Sequence, residues 1–521
     1  APTALIAMPG TGSDDDYIRR AFGPASRLLD VELIAVKPTA DLIPGFIRAL
    51  DSAAREHESV LVGGVSIGAV TALRWALDGQ AAHAGTATCA GVLAALPPWS
   101  GQPSGSLAAA SARLTADAIE RELYRPGTIG LGYNTIRFDD EVTRNLLYRN
   151  FHDPYLREWS GGNSRWDLID VVRLWHALRP EGLTWPQGEH GATSFKLEHL
   201  SAANGLQHER AHDALSDVHA TLALARRLKA AQPRLFAHAL TLRDKKVAAA
   251  LLTGSTQAPV LHVSSRIPAA LGCITAVVAV APHPRNRNCV LCFDLRQDPE
   301  ALLSAPIDEL HDRLFTPRED LPEDVERLAL KGIHLNKSPM LAPMSTLQPA
   351  QAQRWQLDLE QLREHHELLM RAGPALVEKV QALYADEDRS ADDPEVALYS
   401  GFIPDADRAR CAQVRADGPG GAAPHDGRFE DPRLNELLFR WRARHAPHTL
   451  TPGEQDAWRA FVERKLSIDT GLASLTLPAY QQLVEARLQQ DRDPDRLRQW
   501  LDLRNWPRDS GLLDWMPASP G

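Results

Sequence analysis

The first ~118 residues alternate short apolar runs with amphipathic stretches, and this alternation constrains the fold more tightly than any other feature of the chain. Ala4–Met8, Val31–Val36, Ser59–Gly63 and Gly91–Leu96 each read as a strand, and Phe46–Arg55 and Gly68–Leu77 between them carry helical spacing. Strands that alternate with helices build a parallel sheet, because a parallel pair needs a crossover of about a dozen residues or more. The stretch 97–106, Pro-Pro-Trp-Ser-Gly-Gln-Pro-Ser-Gly-Ser, then reads as a loop or linker. Beyond it the texture changes, with Arg, Trp, Asn and His becoming frequent. The spacing predicts helices over Ala118–Leu123, Glu141–Phe151 and His212–Ala231, and strands at Val260–Val263, Ile274–Val280 and Val290–Leu295. From about residue 386 the chain reads as mainly helical, with Arg433–Arg444, Pro452–Lys465 and Ala479–Gln490 as examples. Ala416–Gly427, rich in Gly, Pro and Ala, reads as a mobile loop. No repeat of fixed period is present.

Size and composition narrow the class. The 521 residues are enough for three or four domains, and 44% hydrophobic with 24% charged residues is the balance of a soluble globular protein. No apolar run approaches the roughly 18 residues that span a bilayer. The N-terminus lacks a charged segment followed by a long apolar one, which argues against secretion. Five scattered cysteines, an odd number, argue for a reducing compartment, and the cytoplasm is the expected location. Cys289 and Cys292 have C-x-x-C spacing, but Val290, Leu291 and Phe293 around them favour a buried strand over a metal or redox site. The net charge of −10 does not advertise a nucleic-acid binder, although a basic groove can sit on an acidic body.

Two segments carry candidate chemistry. Gly132-Tyr133-Asn134-Thr135-Ile136-Arg137-Phe138-Asp139 puts an aspartate just after the apolar run Thr128–Leu131. His212-Asp213-Ala214-Leu215-Ser216-Asp217 puts an imidazole and a carboxylate at the start of a helical stretch. Carboxylates and a histidine of this kind suit an enzyme that holds divalent cations against a phosphodiester. Magnesium takes hard oxygen ligands, usually one or two carboxylates plus phosphate oxygens. Paired metals stabilise the attacking and leaving oxygens, and a histidine can orient or deprotonate the water. The structural alternative for the second segment is a helix with a solvated acidic first turn, favoured by the helix dipole alone.

From about Ala118 to the end the chain resembles the exodeoxyribonuclease I family, 3′→5′ single-strand DNA exonucleases of the DEDD superfamily. The resemblance runs through Gly132-Tyr133-Asn134, Arg137–Asn145, Tyr148–Phe151, Asp153-Pro154-Tyr155, Asn163–Leu168, Ala177–Gly182, Leu197–Leu200, Gln232–Phe236 and Phe439–Arg444. It implies an α/β multidomain protein: a truncated RNase H-like exonuclease core at 118–232, an SH3-like β-barrel domain at 233–385 and a helical C-terminal domain at 386–521. It also implies that Asp139 and Asp217 are metal ligands for two Mg2+ ions and that His212 is the catalytic histidine. Tyr155 and Trp159 match aromatic positions along the strand's path, where base stacking contributes ~1–3 kcal/mol per base. Arg144, Arg173 and Lys196 match phosphate-contacting positions, which would make binding salt-dependent. Lys196 stands where an arginine is expected, so the charge is kept and the bidentate fork is lost. The family further implies docking to the C-terminal tail of single-stranded DNA-binding protein, no membrane, and a monomer.

One family feature is missing. The superfamily chemistry needs four carboxylates, two of them from an Asp-x-Glu on the first core strand, and no such motif follows a strand here. Asp30-Val31-Glu32 precedes its strand, and Asp14-Asp15-Asp16 reads as an acidic helix start. The first 117 residues instead resemble a partial α/β-hydrolase-like parallel sheet. Gly64-Val65-Ser66-Ile67-Gly68 after a strand looks like the nucleophile elbow of that fold. Ser66 would be a vestigial nucleophile, because the segment ends before the acid and histidine could follow. A join of two coding sequences near residue 118 explains both deficits. Three functions stay open on the sequence: a single-strand DNA exonuclease, a catalytically dead strand- or partner-binding remnant, and a serine hydrolase through Ser66.

Overall fold

A computed structural model describes residues 4–8, 32–37, 48–50, 52, 59–65, 88–95, 107–188, 191–206, 214–254, 257–323, 325–385, 393–467 and 471–509. Contacts group the chain into two units. One comprises Ala1–Arg121, Asn145–Pro154 and Ser390–Gly521; the other comprises Glu122–Arg144 and Tyr155–Arg389.

The first unit contains the parallel sheet that the opening alternation requires. Strands β1 (Ala4–Met8), β2 (Glu32–Ala35), β3 (Ser59–Val65) and β4 (Thr88–Ala95) lie in the order β2-β1-β3-β4, each pair parallel. Strand β3 extends two residues beyond its expected end and stops at Val65, next to Ser66, which lies outside the described residues together with 66–87 and the linker 96–106. The helix expected to start at Ala118 starts at Leu107 and ends at Leu123, with Ala112 and Ala116 buried. Its Ala- and Ser-rich first half has too few large apolar residues to announce itself by periodicity. The position where the sequence divides its first two domains is therefore inside a continuous helix.

The same unit holds the helices Asp405–Gly421, Pro432–His445, Pro452–Ser467, Leu477–Gln490 and Pro494–Asp509. Ala416–Gly427 is not the loop its composition suggests. Its first residues finish the helix Asp405–Gly421 across a kink at Gly418 (φ 68°) and Pro419, and Ala423–His425 form a further turn. The tract is pinned by a 2.7 Å contact between His425 Nε2 and Asp417 Oδ2 and by the full burial of Ala422. Trp458, Phe461 and Val462 pack with Ala443 and Leu450 into a small core, and Trp441 meets Phe151 edge-on at 5.4 Å. Around that core lies Glu395, which is bonded to Arg440, Arg444 and Lys465.

The second unit is built on a five-stranded antiparallel sheet in the order β10-β9-β8-β7-β11: Leu330–His334, Cys289–Asp294, Ile274–Pro282, Val260–Val263 and Leu341–Pro343. The β-rich stretches read from the sequence are its three central strands. Cys289 and Cys292 are free, buried thiols of β9. Three residues apart on a strand they point to opposite faces, so one ion cannot take both. Burial pushes the Cys292 thiol far up. Beside this sheet, β5 (Ile129–Gly132) and β6 (Ser164–Asp167) form a two-stranded parallel sheet. The helix Leu168–Leu178 follows β6 directly, and every one of its residues except Asp170 is buried. Each buried aliphatic side chain there stabilises by roughly 1.5–3 kcal/mol, so β6 and this helix are a rigid platform. Among the described residues no helix is long and apolar enough to cross a membrane.

Candidate active-site cleft

Strand β5 ends at Gly132, and the chain then turns through Tyr133–Phe138 before starting the helix Asp139–Arg149. The turn is tight because Gly132 has no side chain: a Cβ there would stand 2.0 Å from Thr135 Cγ2. Thr135 O accepts from Phe138 N (3.2 Å) and Asp140 N (2.9 Å), which fixes the start of the helix. Asp139, Asp140 and Glu141 occupy the first helical turn, where the N-terminal dipole favours carboxylates.

The loop forms one wall of a cleft of about 940 Å3. Gly132–Thr135, Phe138 and Asp139 line it from this side, Arg173 from the helix after β6, and Phe195–Glu198 from a further segment. Asp217, Val218, Thr221 and Leu222 line it from the helix Ala214–Ala231. Asp139 and Asp217, 78 positions apart in the chain, therefore face one cavity. Burial raises the Asp139 carboxyl above its ordinary value, more than its own backbone N–H lowers it, and Asp140 adds to the rise. Tyr133 Oη donates to Phe195 O at 2.5 Å and ties the loop to the opposite wall.

Among the five residues expected to meet substrate, Arg173 and Lys196 line the cleft. Arg173 is mostly buried, bonds Asp170 at 2.5 Å and lies 5.6 Å over the Phe195 ring. Lys196 has its side chain 70% exposed, and its ammonium is 3.9 Å from Glu198. Arg144, Tyr155 and Trp159 do not line the cleft. Arg144 is buried: its Nε and Nη2 each bond Glu158 at 2.7 Å, and its Nη1 bonds Glu141 at 2.8 Å. The Tyr155 ring lies 5.4 Å from its guanidinium. Arg144 is thus held between two carboxylates in this structure. Trp159 is exposed at the end of the short helix Leu156–Trp159.

His212 and Ser66 lie outside the described residues, as does Asp30, while Glu32 is the exposed first residue of β2. Among the described residues, no three His, Cys, Asp or Glu side chains are gathered closely enough to hold a metal ion. Asp139 and Asp217 are hard oxygen donors on one cavity. Their chemistry suits a hard divalent cation that takes its remaining ligands from water and phosphate, and the described residues do not furnish the donors of a two-ion site.

Sequence reasoning missed Glu198, Phe195 and Tyr133 as cleft residues, and Asp167 behind the loop. Asp167 caps the helix Leu168–Leu178 through Ile169 N, and that local signal hides its other partners. On the far side of the loop is a second cleft of about 830 Å3, lined by Ile136, Arg137, Asp167, Asp170 and cationic residues of the five-stranded sheet region such as Arg266 and Lys331.

The comparisons with known proteins agree with one another. The Exonuclease I SH3-like domain model matches residues 243–386, and the Exonuclease I C-terminal domain model matches residues 392–509. Exodeoxyribonuclease I of Escherichia coli K12 is 44% identical over 335 residues, 64% of this chain and 70% of the relative. The Haemophilus influenzae Rd enzyme of the same name is 42% identical over 351 residues, 67% and 74% of the two chains. Exonuclease I from Methylocaldum szegediense superposes with a TM-score of 0.71 at 44% identity, covering 76% of this chain and 84% of that one. E. coli exonuclease I in complex with a dA16 oligonucleotide superposes with a TM-score of 0.70 at 39% identity, with the same coverage.

Proposed function

The chain belongs to the exodeoxyribonuclease I family, and from that premise we propose that it binds single-stranded DNA and hydrolyses it from the 3′ end to mononucleotides. The observation that carries this is the convergence of Asp139, Arg173, Lys196 and Asp217, from four separate segments, on one cleft. Arg173 and Lys196 supply positive charge for the phosphates of the terminal nucleotides. The exposed Phe138 offers a face on which a base can stack. Asp139 and Asp217 would hold magnesium, which supplies Lewis-acid stabilisation of the phosphodiester when bound. His212 would orient or deprotonate the attacking water. The core is read as RNase H-like and the N-terminal sheet as an α/β-hydrolase remnant. The cytoplasm and docking to the single-stranded DNA-binding protein tail complete the reading.

A second reading has its own support. With no Asp-x-Glu after a strand and no gathered set of three ligands among the described residues, the chain would grip a strand without cutting it. Magnesium-dependent degradation of a 5′-labelled single-stranded oligonucleotide separates the two. A ladder abolished by Asp139→Ala and by Asp217→Ala establishes the nuclease; strand binding with no ladder establishes the remnant. An Asp30→Ala/Glu32→Ala variant reports whether that pair contributes.

A further inference from the structure

Asp167 is the last residue of β6 and is 6% exposed. Its carboxylate is divided among three backbone donors. Oδ1 accepts from Ile169 N at 3.1 Å and from Asn134 N at 2.7 Å, and Oδ2 accepts from Ile136 N at 3.1 Å. The first is an ordinary helix cap. The other two reach back 33 and 31 residues to the loop that ends in Asp139. Capping alone does not require them.

The loop these bonds hold turns sharply. Asn134 sits at φ 62°, a left-handed conformation that asparagine tolerates better than other non-glycine residues. The bond from Asn134 N to Asp167 fixes the backbone at this turn. Ile136 N, two residues on, is held by the other oxygen of the same carboxylate. Between them Thr135 O receives Phe138 N and Asp140 N. Two hydrogen-bonded steps thus connect Asp167 to the residues on either side of Asp139. The loop is also a partition: Gly132–Thr135, Phe138 and Asp139 line the first cleft, while Ile136 and Arg137 line the second. Ile136 and Tyr133 anchor the loop by packing, and the two bonds to Asp167 fix the backbone between and beside them.

We propose that Asp167 is the positioning residue for Asp139, its buried carboxylate holding the loop Tyr133–Phe138 in the conformation that presents Asp139 to the cleft. The inference rests on the reading of Asp139 as a metal ligand. The surrounding charges agree with a structural carboxylate of this kind. Asp170, whose charge acts on it, is matched by Arg137 at 3.1 Å and Arg173 at 2.5 Å. Burial raises the Asp167 carboxyl to about 6 against the lowering effect of its three backbone bonds. It is held where a carboxylate is costly, for the bonds it makes.

Asp167→Ser separates this role from helix capping, because serine is as good a cap but has one short hydroxyl that cannot hold Asn134 and Ile136 together. Two readouts that need no catalysis are hydrogen exchange and Mn2+ affinity followed by electron paramagnetic resonance, each on the full chain. In Asp167→Ser, amide exchange over residues 134–139 accelerates at least tenfold, the helix Leu168–Leu178 keeps its protection, and Mn2+ affinity falls severalfold. Asp139→Ala lowers Mn2+ affinity without speeding exchange in the loop. Unchanged loop exchange in Asp167→Ser, or unchanged Mn2+ affinity there while Asp139→Ala weakens binding, overturns the positioning role alone. Mn2+ binding that survives Asp139→Ala overturns the metal-ligand reading and the inference with it. Asp167→Asn, which keeps the shape and one acceptor oxygen, recovers part of the lost affinity if the loop grip is the cause.

Discussion

Asp139 and Asp140 are neighbours in the chain and belong to different worlds. Asp139 lines the cleft with Arg173, Lys196 and Asp217. Asp140 is buried in an ion cluster, bonded to Arg157 at 2.7 Å and Arg165 at 2.9 Å, with Glu158 joining Arg165 at 3.2 Å and Arg144 at 2.7 Å. The motif that marks the family passes through both. The cluster has turned its charges on one another, and a buried cation already bonded to two carboxylates offers little to a ligand. Lys196 in the cleft, by contrast, keeps its charge toward solvent. Which arginine of a motif can meet a phosphate is therefore decided by its partners in the fold.

The largest test of this contrast is catalytic. Asp217→Ala should reduce strand hydrolysis by at least about a thousandfold with little change in melting temperature, as removal of an essential group does. Arg144→Met should do the reverse. It removes one of the arginines around the buried Glu158, so stability falls by about 1.5–3 kcal/mol in a denaturant titration, while the salt dependence of strand binding stays as it was. A loss of salt dependence in Arg144→Met would break the comparison.

Glu395 extends the paired side of the contrast to the helical unit. Burial alone would raise its carboxyl, but Arg444, Lys465, Arg440 and Arg149 together hold it down at about 2. A depressed carboxyl contributes stability that is present above its unfolded value of about 4.5 and is lost as pH falls through about 2. Glu395→Gln should therefore cost about 3–5 kcal/mol near neutrality, and the gap to the unaltered protein should narrow between pH 4.5 and 2. A gap that is constant over that range would show that the ion pairs are not its source.

Smaller effects probe the cleft itself. Lys196→Met should lower the slope of log K against log[salt] by about 0.7 for single-stranded DNA, the value of one lost phosphate contact. Lys196→Arg should tighten binding a few-fold by restoring a bidentate fork, as measured by fluorescence anisotropy at fixed salt.

Much of this architecture was legible in the chain. β7 was readable to the residue, because a short run between two valines, with Pro259 before it and Ser264-Ser265 after it, leaves few alternatives, and the parallel sheet followed from strand–helix alternation. The helix Leu107–Leu123 was half hidden because alanine and serine carry helical propensity without apolar periodicity. The tract at 416–427 was misread because glycine and proline punctuate most sequences, whereas here Gly418 and Pro419 only kink a helix whose end is pinned by Asp417 and His425. At the site, motif likeness singles out Asp139, Asp217, Arg173 and Lys196, which the fold brings to one cleft. For Arg144 the motif does not record the bonds to Glu158 and Glu141 that the fold gives it. Asp167 escaped notice because a capping aspartate looks complete on local grounds, and its two bonds to the loop cross more than thirty residues.

The most direct test of the cleft as the place that receives a strand's end does not depend on whether the chain still cuts. An oligonucleotide carrying 4-thiothymidine at its 3′ terminus can be photo-crosslinked to the full chain and the modified peptides mapped by mass spectrometry. Crosslinks at Tyr133–Asp139 or Phe195–Glu198, lost on competition with unlabelled single strands, are the predicted result. Crosslinks confined to the Arg144–Trp159 region, with none in the cleft, would contradict it.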